Sequence, residues 1–146
     1  MRRKLLVNIL IAVFFSLFLV EAHAAVQKSS LRGEKDFKKA QGEVTVSDAG
    51  ADQKQISVSA SGLKPNSIYT FWFVNEKPRM DMAGVGTGNY SFRSDAQGNA
   101  QYTAAVSQEE LRRWNLFEVA YHPDQNPQNM ENIQIALKGE VPGTAR

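Results

Sequence analysis

Between residues 42 and 138 one pattern recurs: short runs in which apolar residues take every second position, each ended by Gly, Pro, Asn or Asp. A strand turns successive side chains to opposite faces, so a period of two marks a half-buried strand. The runs are 42–47 (GEVTVS), 55–60 (QISVSA), 89–94 (NYSFRS), 99–106 (NAQYTAAV), 116–122 (LFEVAYH) and 132–138 (NIQIALK). A further run, 68–75 (IYTFWFVN), is apolar on both faces apart from Thr70, which suits a central strand. Ser107-Gln-Glu-Glu110 has the spacing of a helix capping box and predicts one short helix before Trp114. About seven short strands at this spacing predict an all-β, immunoglobulin-like antiparallel β-sandwich with one short helix. It spans roughly 42–141 within an expected domain of 42–146.

The N-terminus reads differently. Arg2, Arg3 and Lys4 precede a 16-residue run, Leu5 to Val20, that is apolar apart from Asn8 and Ser16, and Ala22-His23-Ala24 follows. This layout predicts a secretory signal peptide over 1–24. An uncleaved N-terminal anchor is the alternative, although the run is short for a spanning helix. The expected location is periplasmic or secreted, with no integral membrane segment after cleavage. Residues 25–41 (AVQKSSLRGEKDFKKAQ) are polar and lysine-rich, and read as a flexible lead-in with one helical turn near Asp36–Ala40.

Composition removes several classes of function. There is no cysteine, hence no disulfide framework, zinc–thiolate cluster, cysteine nucleophile or lipoprotein anchor. From residue 25 onward, 14 Lys+Arg balance 14 Asp+Glu, because the basic excess sits in the first four residues. Neutrality argues against nucleic acid as a partner. Catalysis has little support. His122 is the only histidine after residue 24, no serine lies in a G-x-S-x-G elbow, and Glu109 and Glu110 belong to the capping box.

Leu63-Lys-Pro65-Asn-Ser-Ile-Tyr69 has the spacing L-x-P-x-x-x-Y. It resembles the tyrosine corner of immunoglobulin-like and fibronectin-type domains, in which the Tyr hydroxyl bonds to the backbone a few residues upstream. With the aromatic strand that follows and the Asp95–Gly98 turn, the stretch also resembles the extracytoplasmic sandwich of anti-sigma-K-factor-like proteins. The resemblance covers roughly 70 to 90 residues and implies a fold. It carries no regulatory role, because a cytoplasmic domain and an internal membrane helix are missing.

Candidate contact residues fall in three places. Residues 76–88 form the longest gap between strands and hold Met80, Met82, Gly84 and Gly86. Long loops on a rigid scaffold are common recognition elements, and a plain mobile loop is the alternative. Strand 68–75 alternates Tyr69, Phe71 and Phe73 with Trp72. Its outer face is either exposed for contact, or covered by residues 25–41 or by the 107–114 helix. Tyr121 and His122 open a loop, 122–132, that is rich in side-chain oxygens but has only two carboxylates, too few for a strong calcium site. Met80, Met82, Met130 and His122 together suit copper(I), provided that the 80–82 and 122–130 segments share one end of the fold.

The leading expectation is therefore an exported, non-enzymatic binding or accessory module without a cofactor, contacting a protein or cell-envelope component. Trp72, Met80, Met82, Gly84, Gly86 and Tyr121 are its candidate contacts, and Leu63, Pro65 and Tyr69 its structural corner. The alternative is a periplasmic copper-binding protein.

Overall fold

A computed structural model describes residues 25–143. The expected signal peptide (1–24) and residues 144–146 lie outside the described residues. The strands are β1 (Gln27–Gly33), β2 (Gln41–Asp48), β3 (Gln53–Ser61), β4 (Ile68–Asn75), β5 (Asp81–Gly84), β6 (Ser91–Arg93), β7 (Ala100–Ser107), β8 (Leu116–His122) and β9 (Gln134–Glu140). One 3-10 turn (Lys35–Phe37) follows β1, and one helix, α1 (Gln108–Arg112), follows β7.

The chain is all-β and antiparallel, as the alternation implies, but its layout differs from the expected two sheets of about seven strands. All nine strands pair into a single sheet in the order β5–β4–β8–β9–β1–β2–β3–β7, and β6 pairs with β4 beside β5. The sheet curls into a half-barrel. Phe71 on β4 meets Tyr102 on β7 edge-to-face at 6.1 Å, although these strands lie near opposite ends of the sheet order.

β1 makes the sheet continuous. Gln27–Arg32 pairs with Val46–Gln41 of β2, and Arg32 and Gly33 pair with Lys138 and Leu137 of β9. The segment expected to be a flexible lead-in is thus an interior strand. Leu31, Phe37 and Ala40 from β1, the 3-10 turn and the following turn are buried. The polar appearance of 27–33 has a simple cause: Leu31 is its only buried side chain, and its place is fixed by backbone pairing on both edges.

The core lies inside the curl. Tyr69, Phe71 and Phe73 point inward from β4, and all three are fully buried. Phe117 of β8 stacks on Phe71 at 5.2 Å and on Phe73 at 5.5 Å. Trp114 closes one end, stacking on Phe73 at 5.9 Å. α1 sets that tryptophan in place. The Ser107 hydroxyl accepts from the Glu110 amide at 3.0 Å, which is one half of the capping box. The Glu110 carboxylate turns instead to Trp114, whose Nε1 donates to it at 2.8 Å. Burying each aromatic side chain contributes about 1.5–3 kcal/mol.

At the other end of β4, the Lys64 amide donates to the Tyr69 hydroxyl at 2.9 Å. The turn after β6 braces this corner. The Ser94 hydroxyl donates to the Lys64 carbonyl at 2.5 Å, and the Asn66 amide donates to the Asp95 carbonyl at 3.0 Å. Asp95 in turn accepts from the Gln97 and Asn99 amides. These backbone donors, that of Asn99 foremost, hold its carboxyl below the ordinary aspartate range.

Burial pushes the Tyr69 hydroxyl from its ordinary 10.0 up to about 12. The unfolded chain therefore releases this proton first as pH rises, and stability present below about pH 10 is lost between about 10 and 12. Tyr69→Phe is expected to lower unfolding free energy at neutral pH by about 1–2 kcal/mol, because the corner hydrogen bond is lost. The same variant should show a shallower alkaline decline. Urea unfolding at pH 7 and pH 11 checks both, and an equal alkaline decline in the two proteins would contradict the assignment.

Candidate functional site

Strand register decides which side chains share the outer face of β4. Ile68, Thr70, Trp72 and Val74 alternate with the inward aromatics. Opposite them on β8 stand His122, Ala120, Glu118 and Leu116, and on β5 Gly84 pairs with Trp72 and Met82 with Val74. Glu118 pairs in turn with Lys138 of β9.

The Ile68 end of this face is closed. His122 and Thr70 are fully buried and hydrogen-bonded, Nε2 to Oγ1, at 2.8 Å. Nδ1 lies 3.1 Å from the Asn129 carbonyl, which can only accept, so Nδ1 carries a proton. Trp72 Nε1 donates to Thr70 Oγ1 at 2.7 Å, and the Thr70 hydroxyl in turn donates a hydrogen bond to His122 Nε2. The result is one directed chain from Trp72 through Thr70 and His122 to the Asn129 backbone. Both ring nitrogens are occupied, and neither offers a lone pair to a metal.

The four residues considered for copper are not brought together. Met82 pairs at Val74, whereas His122 pairs at Ile68, six positions along β4, or about 20 Å at strand rise. Met130 follows Asn129 at the His122 end. Among the described residues, no group of three His, Cys, Asp or Glu side chains could hold a metal ion. The side-chain oxygens of Asp124, Asn126 and Asn129 serve the turns of the 122–132 loop itself. Asp124 accepts from the Asn126 amide at 3.0 Å and from Asn129 Nδ2 at 2.6 Å, and these bonds hold its carboxyl below the ordinary range. Asn126 and Asn129 accept from the amides of Gln128 and Glu131.

The candidate contact residues separate likewise. Tyr121 points inward, against Phe37 and Tyr69, with the Lys64 ammonium 4.4 Å from its ring centroid. Gly86 (φ +97°) is pressed against Ala104 and Tyr102, where a side chain would not fit. Tyr90 covers Gly84, whose missing side chain leaves room for the ring, and it meets Trp72 edge-to-face at 5.4 Å. Trp72 is thus half-buried, with Tyr90 against its ring.

Met80 and Met82 remain, and they are 64% and 41% exposed. They edge a groove of about 530 Å³ on the outer face. Val74, Ile133 and Ile135 supply apolar lining, and the 3-10 turn after β1 forms one wall. Charged groups converge on it. Lys138 donates to Glu76 and lies 3.7 Å from Glu118. Burial holds the Glu118 carboxyl above the ordinary range, against the pull of Lys138, and Glu76 and Glu34 push the same way. The bond to Glu76 raises Lys138, which stays an ammonium.

Sequence reasoning reached the methionines but missed Glu118, Lys138, Glu76 and the two isoleucines. A signal was present. Glu118 is the one acidic residue of a largely apolar strand, and Lys138 stands directly opposite it on β9; a charge facing its opposite across a strand pair marks a special position. Comparison with known proteins adds no relative: no family model and no curated protein matches the sequence. No helix among the described residues is long and apolar enough to cross a membrane.

Thr70→Val tests the buried chain. It keeps the shape but strands Trp72 Nε1 and His122 Nε2, and it is expected to cost about 1–3 kcal/mol. Urea unfolding followed by tryptophan fluorescence measures this, and a neutral substitution would contradict the hydrogen-bond directions given above.

Proposed function

We propose that this protein is an exported, non-enzymatic binding or accessory module that contacts a protein or cell-envelope component through the Met80–Met82 groove. The observation that carries the reading is exposure. Among the described residues, the exposed large apolar ones are Val26, Met80, Met82 and Met130, and two of these four stand together on one concavity with an apolar lining. Methionine is unbranched and polarizable, which suits an adaptable contact surface. Export is supported by the N-terminal basic–apolar–small layout of the sequence, and a periplasmic or secreted location follows from it. A finer fold reading belongs with this proposal. The bond from Lys64 to Tyr69, together with the turn braced against it, supports an immunoglobulin-like reading of this part of the fold. It also supports the likeness to anti-sigma-K-factor-like extracytoplasmic domains at the level of fold alone.

A photoreactive amino acid placed at Met82 and, separately, at Ser57 on the remote face tests the reading in the producing cell. Adducts are expected from position 82, and severalfold fewer when Ile135→Glu is added. Equal adduct yields from positions 82 and 57, or none from position 82, would contradict the groove as the contact site.

A further inference from the structure

The groove carries information about its occupant as well as its place. Four carboxylates line it, Glu34, Asp36, Glu76 and Glu118, against two ammonium groups, Lys35 and Lys138. Lys138 is already shared between Glu76 and Glu118. Glu34 lines the same groove, so the carboxylates there outnumber the ammonium groups. A hydrogen-bond acceptor is also in excess. Gln134 lines the same groove, and its Oε1 is the one buried side-chain polar atom among the described residues without a hydrogen-bond partner. The site is rich in acceptors and negative charge and poor in donors, while Val74, Met80, Met82, Ile133 and Ile135 provide apolar contact.

Complementarity is then specific. An occupant must bring N–H donors and positive charge at its polar end and hydrocarbon along its length. Lysine and arginine side chains have that form, an apolar stem under a charged head. Resting on the groove as the contact site, we infer that the partner presents a basic, partly apolar peptide segment whose lysine or arginine enters among Glu34, Glu118 and Gln134. A purely apolar segment would leave the carboxylates desolvated without compensation, which is costly. An acidic segment would add like charge. Charge complementarity of this kind also steers encounter and makes association salt-sensitive.

Titration calorimetry with three N-acetylated hexapeptide amides, LKLRLK, LQLQLQ and LELELE, tests the inference. LKLRLK is expected to bind at least tenfold more tightly than LQLQLQ, with LELELE weakest, and to weaken severalfold between 50 and 500 mM salt, on the order expected when exposed charges are screened. Glu118→Gln and Glu34→Gln should each weaken LKLRLK about threefold to tenfold while leaving LQLQLQ unchanged, as partly exposed charge pairs do. Glu43→Gln, on the remote face, should change neither. Circular dichroism shows whether each variant is folded. Equal affinity for LKLRLK and LQLQLQ would overturn the basic partner and leave the groove standing. Tight binding of LKLRLK that is unchanged in a Met80→Ala/Met82→Ala/Ile135→Ser variant would overturn the groove itself. No binding by LKLRLK at millimolar concentration would overturn the basic partner.

Discussion

The inward aromatic row of β4 is the constraint on which the other elements depend. Tyr69, Phe71 and Phe73 are fully buried, and each draws a different part of the chain against it. Tyr69 holds the 63–69 corner and packs on Phe37 from the turn after β1. Phe71 reaches Tyr102, which draws β7 across the core and curls the sheet. Phe73 receives Trp114 from the end of α1. A flat nine-stranded sheet would leave these rings in water. Curling covers them without a second sheet, because β1 pairs on both edges and keeps the ladder continuous.

Strand alternation then fixes the character of the outer face. Once 69, 71 and 73 point inward, 70, 72 and 74 must point outward. The two ends of that outer row are treated differently. At Thr70 a buried polar chain runs to His122 and the Asn129 carbonyl, with every donor matched to an acceptor. Beside Val74, itself buried, lies a groove edged by exposed methionines and lined by carboxylates. A satisfied buried network is rigid, whereas a partly exposed, donor-poor groove can still gain hydrogen bonds from outside. The same strand therefore serves as scaffold at one end and borders the proposed contact surface at the other.

Much of this was legible in the sequence where one strand carries its own signal. The bounds of β4 and β8 match the runs 68–75 and 116–122, because both are rich in apolar residues and are flanked by clear turn residues. β1 was not legible. One buried leucine in seven residues gives no periodicity, and strand identity there comes from partners far along the chain. β5 is four residues long, below the length at which alternation can be recognised. The groove was half legible. Met80 and Met82 stand out in a long loop, but Glu76 follows β4, Glu118 lies on β8, Lys138 on β9 and Glu34 in the turn after β1. Only the register 72–118–138 brings them together. His122 looked like a ligand because it was the sole histidine after the N-terminal segment. Its burial and two hydrogen bonds give it a structural task.

The most direct measurement of the central claim, that the open end of the β4 outer face is a docking surface for a basic partner, is methyl NMR of the protein labelled at methionine and titrated with LKLRLK. Met80 and Met82 edge the groove, whereas Met130, 38% exposed, is not among its lining residues and serves as an internal reference. Saturable shifts of the Met80 and Met82 methyls with Met130 unmoved are the expected result. Shifts confined to Met130, or equal at all three methyls, would contradict the account.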